Sequence, residues 1–98
     1  MPEGSYHVLW LSDARNTLRE LAQKARERGV LESFKLAITE LNERLEREPI
    51  EVGELYRTRG NIEDHSAAYK VVSIDFGVDK ERKVVCVRWC VEFPRGGS

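Results

Sequence analysis

The sequence predicts an α+β domain: an N-terminal strand, an antiparallel helical hairpin, then a three-stranded antiparallel meander, with both helices on one face of the sheet. Three observations predict it. Residues 83–93, KVVCVRWCVEF, set Val85, Val87, Trp89, Val91 and Phe93 against Cys86, Arg88, Cys90 and Glu92. Alternation this long marks a half-buried strand, because successive side chains leave opposite faces. Residues 13–47 instead repeat their apolar positions every three or four residues, the period of a helix lying on a core. After Pro49, strand-like segments return.

Each element has its own local reason. Residues 6–10, YHVLW, place Tyr6, Val8 and Trp10 on one side and His7 and Leu9 on the other. Ser12 and Asp13 are expected to cap the first helix, residues 13–28, and Asp13 suits its positive end. Ala14, Leu18, Leu21, Ala22 and Ala25 form its apolar stripe, and Gly29 suits a left-handed stop. Leu31, Phe34, Ile38, Leu41 and Leu45 form the seam of a second helix, residues 31–47, which Pro49 ends. So short a link makes the helices antiparallel neighbours. Residues 55–59 read as a strand and the polar residues 60–66 as a loop. Residues 69–76 read as the next strand, and residues 77–82 turn the chain into the final one.

Ninety-eight residues make one domain, spanning the whole chain, in which all elements must share a core. A net charge of −1 gives no bulk attraction to nucleic acid, so any such role needs a local basic patch. The opening MPEGSYH has neither a basic start nor a long apolar run, so no secretory leader is expected. No apolar run approaches the length of a membrane span. Cys86 and Cys90, four apart on one strand, would sit roughly 13 Å apart, too far for a disulfide. They have no neighbouring ligands for zinc. Reduced thiols in a cytoplasmic protein, with no cofactor or metal, are the expectation. No phosphate loop or nucleophile–base pair is present in the sequence.

Two segments resemble the RelE/ParE toxin superfamily. Residues 45–53, LEREPIEVG, are similar to the family's stretch closing its second helix, with its proline and following glycine. Residues 69–93, YKVVSIDFGVDKERKVVCVRWCVEF, resemble the family's hairpin, in which an Asp-containing turn leads to a Val-rich final strand. With the order of elements, the resemblance covers nearly the whole chain. It implies the toxin of a type II toxin–antitoxin pair, neutralised by an antitoxin protein. One branch cleaves messenger RNA on the ribosome without a metal; the other poisons DNA gyrase and has no nuclease site.

RNA cleavage of that kind needs a base for the ribose 2′-hydroxyl, cations for the phosphate and an acid for the leaving oxygen. Arg57, Arg59, Lys70 and Arg88 are the candidate catalytic cations, with Arg95 beyond the final strand. Lys70 falls where the family places a strand arginine, although by parity it shares a face with Val72, Ile74 and Phe76. Tyr56, His65 and Tyr69 are candidates for stacking a base or moving a proton. Two features depart from the nuclease pattern: the chain is near neutral, and nothing aromatic follows Phe93. The alternative is therefore a non-enzymatic binding module, either gyrase-inhibiting or presenting its open sheet to a partner. The arginines discriminate: a nuclease needs them convergent and unpaired, whereas a binding module leaves them scattered or bridged to carboxylates. An exposed sheet edge also invites a homodimer.

Overall fold

The computed structural model describes residues 5–92. Strand β1 (His7–Trp10) leads into helices α1 (Ser12–Glu27) and α2 (Leu31–Arg47). A single turn, α3 (Pro49–Val52), then precedes β2 (Glu54–Arg59), β3 (Ile62–Tyr69), β4 (Val72–Asp79) and β5 (Val84–Glu92). The five strands form one sheet in the order β1-β5-β4-β3-β2. β1 runs parallel to β5, and the other pairs are antiparallel. The α+β class, the helical hairpin and the antiparallel meander are as the sequence predicts. The meander has four strands rather than three.

The additional strand is β3. Its first half contains Glu63 and Asp64, residues of low strand propensity. Pairing with β2 on one side and β4 on the other overrides that preference. The expected loop shrinks to Gly60-Asn61, where Gly60 takes a positive φ of 58°. At the other end of β3, Lys70 (φ 56°) and Val71 make the next two-residue turn. Lys70 is thus a turn residue and not part of a strand. Gly77 and Val78, expected in the following turn, lie inside β4. That turn instead forms on Asp79, whose carboxylate accepts from the backbone N–H groups of Glu81 and Arg82 at 3.1 and 3.0 Å.

The core lies between the hairpin and one sheet face. Leu21, Leu41, Leu45, Val72, Ile74, Phe76, Val78, Val85 and Val87 are buried in it. β1 behaves as its alternation predicts, with Tyr6 buried and His7 exposed. The Trp10 indole N–H donates to Asn42 on α2 at 2.9 Å, tying the edge strand to the helix above it. The α1 N-terminus departs from expectation: Leu11 is the N-cap residue, and no side chain caps it. Ser12 and Asp13 are already helical there, so Asp13 meets the dipole but not the capping role. The other end closes as expected. Gly29 (φ 76°) lets its own N–H reach the carbonyl of Arg26 and that of Val30 reach Ala25, the Schellman pattern. Gly53 meets a different requirement, since a Cβ there would collide with the Ser66 carbonyl oxygen.

Two irregularities break the strand parity. In β5 the register passes from Phe76↔Val87 to Asp75↔Trp89, so Arg88 has no opposite residue. In β2 it passes from Leu55↔His65 to Arg57↔Asp64, so Tyr56 has none. Each bulge turns the rest of its strand over. Trp89, expected in the core, is 54% exposed, and Cys90, expected on the open face, is buried. In the same way Leu55 and the pair Arg57 and Arg59 face opposite sides rather than sharing one. Phe93, expected to extend the apolar face, lies outside the described residues. Among the described residues, no helix is long and apolar enough to cross a membrane.

Burial pushes the Cys90 thiol up to about 11, while Cys86 is partly accessible. An alkylating reagent at neutral pH is therefore expected to place one adduct per native chain, on Cys86. Peptide mass mapping would locate it, and equal labelling of both cysteines would contradict the bulge at Arg88.

Candidate nucleic-acid interface

The open face of the sheet centres on Asp64, a fully buried residue of β3. A carboxylate without water needs several donors. Arg57 donates its Nε to Asp64 Oδ2 at 2.8 Å. Arg59 donates Nε to Oδ2 at 2.8 Å and Nη2 to Oδ1 at 3.0 Å. Arg88 comes from the other side, with Nη1 2.9 Å from Oδ1. Three guanidiniums from two strands thus meet on one carboxylate of a third. The Arg59 hydrogen bond, aided by those from Arg57 and Arg88, holds the Asp64 carboxyl well below the usual carboxylate range.

A second carboxylate extends the cluster. Arg88 Nη2 donates to Asp75 Oδ1 at 3.1 Å, and the Tyr56 hydroxyl donates to the same oxygen at 2.7 Å. The hydrogen bond to Asp75 raises the Tyr56 phenol above its ordinary value, so Tyr56 keeps its proton at neutral pH. Three arginines against Asp64 and Asp75 leave a local charge of +1. Arg57 and Arg59 are 56% and 49% exposed, and Arg57 commits only its Nε to Asp64. The Arg57 Nη groups and the Arg59 Nη1 are not engaged by Asp64 and are donors of the kind that binds phosphate. The Arg57 guanidinium also lies 5.9 Å from the centroid of the Tyr56 ring.

The two bulges make this convergence. Arg88 is the unpaired residue of β5 and Tyr56 that of β2, so each gains a position on the open face beside its neighbour. Gly77 lies opposite Asp64 and carries no side chain over the cluster. A Cβ there would sit 3.5 Å from Arg88 Nη1 and 3.6 Å from Asp64 Oδ1. Sequence reasoning singled out Tyr56, Arg57, Arg59 and Arg88, and the structure brings these four together. It missed Asp64; Asp75 it offers, beside Glu92, as an ion-pair partner for Arg88, and that pairing with Asp75 forms. The signal was present in the charge pattern, since Asp64 lies five residues from Arg59, but reading residues 60–66 as a loop hid it.

The other candidates lie elsewhere. His65 faces the helical side, buried and stacked on Phe76 with ring centroids 5.4 Å apart. Its Nε2 lies 3.1 Å from Glu63 Oε1, and Lys80 pairs with the same carboxylate at 2.9 Å. Tyr69 also faces the helices, where Arg44 and Lys70 sit over its ring at 5.9 and 5.6 Å. Lys70 pairs with Glu40 of α2, away from the cluster. Arg95 lies outside the described residues. Neither Glu54 nor Glu63 is the partner of Arg57 and Arg59, and Glu92 is bound by Lys24 and Arg28 of α1 rather than by Arg88. Among the described residues no cluster of three or more histidines, cysteines and acidic residues could hold a metal.

No protein-family model matches the sequence, and no curated protein matches it significantly. Solved structures do match the fold. A chain of the RelBE2 toxin–antitoxin complex from Mycobacterium tuberculosis aligns over 91% of this chain and 99% of its own, with 20% identity and a TM-score of 0.68. A chain of the archaeal RelE–RelB complex from Pyrococcus horikoshii aligns over 96% of this chain and 99% of its own, with 18% identity and a TM-score of 0.68. The chain therefore has the RelE-like toxin fold.

The reliance of the cluster on Asp64 is measurable. Asp64→Asn is expected to lower stability by about 2 kcal/mol, less than a wholly buried pair would cost because two of the guanidiniums keep solvent. Thermal unfolding would show it. Because the folded carboxyl titrates low, its contribution is complete above about pH 4, the ordinary carboxylate value. It is lost as the pH falls below that. The variant should lack that part of the acid dependence.

Proposed function

We propose that this chain is the toxin of a toxin–antitoxin pair, that its arginine cluster holds the backbone of messenger RNA, and that its activity is cleavage on the ribosome. One observation carries the reading: Arg57, Arg59 and Arg88 converge on the open face around a single buried carboxylate. Asp64 offsets one of the three positive charges and fixes the direction of all three side chains. The forks that remain would stabilise a phosphate as charge builds on it during attack by the ribose 2′-hydroxyl. Tyr56, holding its proton, suits the acid that protonates the leaving oxygen. The fold likeness to chains of two toxin–antitoxin complexes supports the toxin reading and an antitoxin as partner.

A second reading has its own support. Among the described residues no base stands ready on the open face: Asp75 is already bonded to Tyr56 and Arg88, and His65 is in the core. The arginines are convergent, as a nuclease needs, but also bridged to carboxylates, as a binding module would leave them. A toxin that only binds, gyrase being the target, needs nothing more than this surface.

Induced expression in bacteria is expected to arrest growth, and joint replacement of Arg57, Arg59 and Arg88 by alanine to relieve it. Growth unaffected by the unaltered chain would remove the toxin reading. Purified protein with translating ribosomes should give cuts at codon positions. Blocked gyrase supercoiling without such cuts would select the second reading. Arg57→Ala should lower the salt slope of single-stranded RNA binding by about 0.7, one phosphate contact.

A further inference from the structure

The open face carries a second feature beside the arginines. Trp89 is 54% exposed and lines a depression of about 420 Å³. Its floor is made of small residues, among them Gly53, Ser66, Ala68 and Ser73, with Asp75 at its edge. A large aromatic turned outward beside a floor of small side chains leaves room for a flat group against the ring.

The sheet register fixes where this depression lies. Ser66, Asp75 and Trp89 form one row across β3, β4 and β5. Asp64, Gly77 and Cys86 form the next row on the same face. Rows two residues apart are separated by about 7 Å. Trp89 is adjacent in sequence to Arg88, so its ring stands one row from the cationic cluster. The two zones differ in charge. The cluster holds three arginines, whereas the depression is edged by Glu54 and by Asp75, itself bonded to Arg88, and among the described residues no cation lines it. Phosphate is drawn to the first rather than to the second.

We propose that Trp89 is a stacking platform for an unpaired base of single-stranded RNA, whose adjoining phosphate lies on Arg57, Arg59 and Arg88. This rests on reading the arginine cluster as an RNA-backbone site. A base is neutral, flat and apolar on its faces, so it fits the zone without cations beside the ring. The Ser66 and Ser73 hydroxyls can donate to and accept from its edge. A paired base is already stacked within its duplex, so the site selects unpaired RNA. The bulge at Arg88 is what turns the ring outward; a regular strand would have buried it.

The experiment uses the intrinsic fluorescence of Trp89 in a Trp10→Phe variant, with a short unstructured RNA and an abasic oligonucleotide of equal length as probes. The base-bearing RNA is expected to quench most of the emission and the abasic one to leave it. Trp89→Ala should weaken binding of the base-bearing RNA by roughly 5- to 150-fold, the worth of one base–aromatic stack, and leave abasic binding unchanged. Trp89→Phe should restore most of the affinity, a comparison that stands even where the Trp10 variant does not fold. RNA bound at full affinity with unchanged Trp89 emission would overturn the proposal and assign the ring to a protein contact. Equal losses for both oligonucleotides in Trp89→Ala would overturn it too. Failure of the unaltered chain to bind either oligonucleotide would instead bring down the reading of the arginine cluster.

Discussion

The contact on which the open face depends is the buried carboxylate of Asp64 with its three guanidiniums. A lone carboxylate in that position would be strongly disfavoured, because burial removes its hydration. Three arginines set side by side would repel one another and splay into solvent. Each half of the cluster therefore requires the other. The carboxylate sits on β3, next to the edge strand β2 and flanked on both sides. The cations arrive from β2 on one side and, across β4, from β5 on the other. Bonding between them thus fixes both the polar face and the arrangement of three strands.

The two faces of the sheet follow different rules. Beneath the helices, Val, Ile, Leu and Phe side chains interdigitate, and burial of apolar area dominates. Trp10, partly buried there, is satisfied by Asn42, whereas the buried His65 bonds through Nε2 to Glu63 and leaves its Nδ1 without a partner. On the open side, small residues and bonded charges alternate, and nothing large covers them among the described residues.

The bulges connect the two. Without them, β5 would direct Trp89 inward, and β2 would direct Arg57 and Arg59 to the side of Leu55 and away from Tyr56. With them, Tyr56 and Arg88 each gain a place on the open face and meet at Asp75. The loss of two ladder pairings is offset by hydrogen bonds to carboxylates. Fold and site are therefore coupled at two residues rather than spread over the sheet.

What the sequence determined by itself was the periodic part: both helices, the glycine stop after α1, the proline stop after α2, the burial of Val85 and Val87, and the partition into a helical layer and a sheet. Those follow from patterns local to a few turns or a few strand residues. It also marked four of the side chains on the open face: Tyr56, Arg57 and Arg59 beside a glycine turn, and Arg88 alternating with apolar residues in the final strand. Tertiary structure alone decided that the polar run around Asp64 is a strand, since its pairing energy comes from β2 and β4 and not from its own residues. It alone decided which way Trp89, Cys90 and Leu55 point, since a bulge is a mismatch between two strands and has no signature in either one. It also separated His65, Tyr69 and Lys70 from the arginines, because side of sheet is a property of register, and register is set by partners distant in the chain.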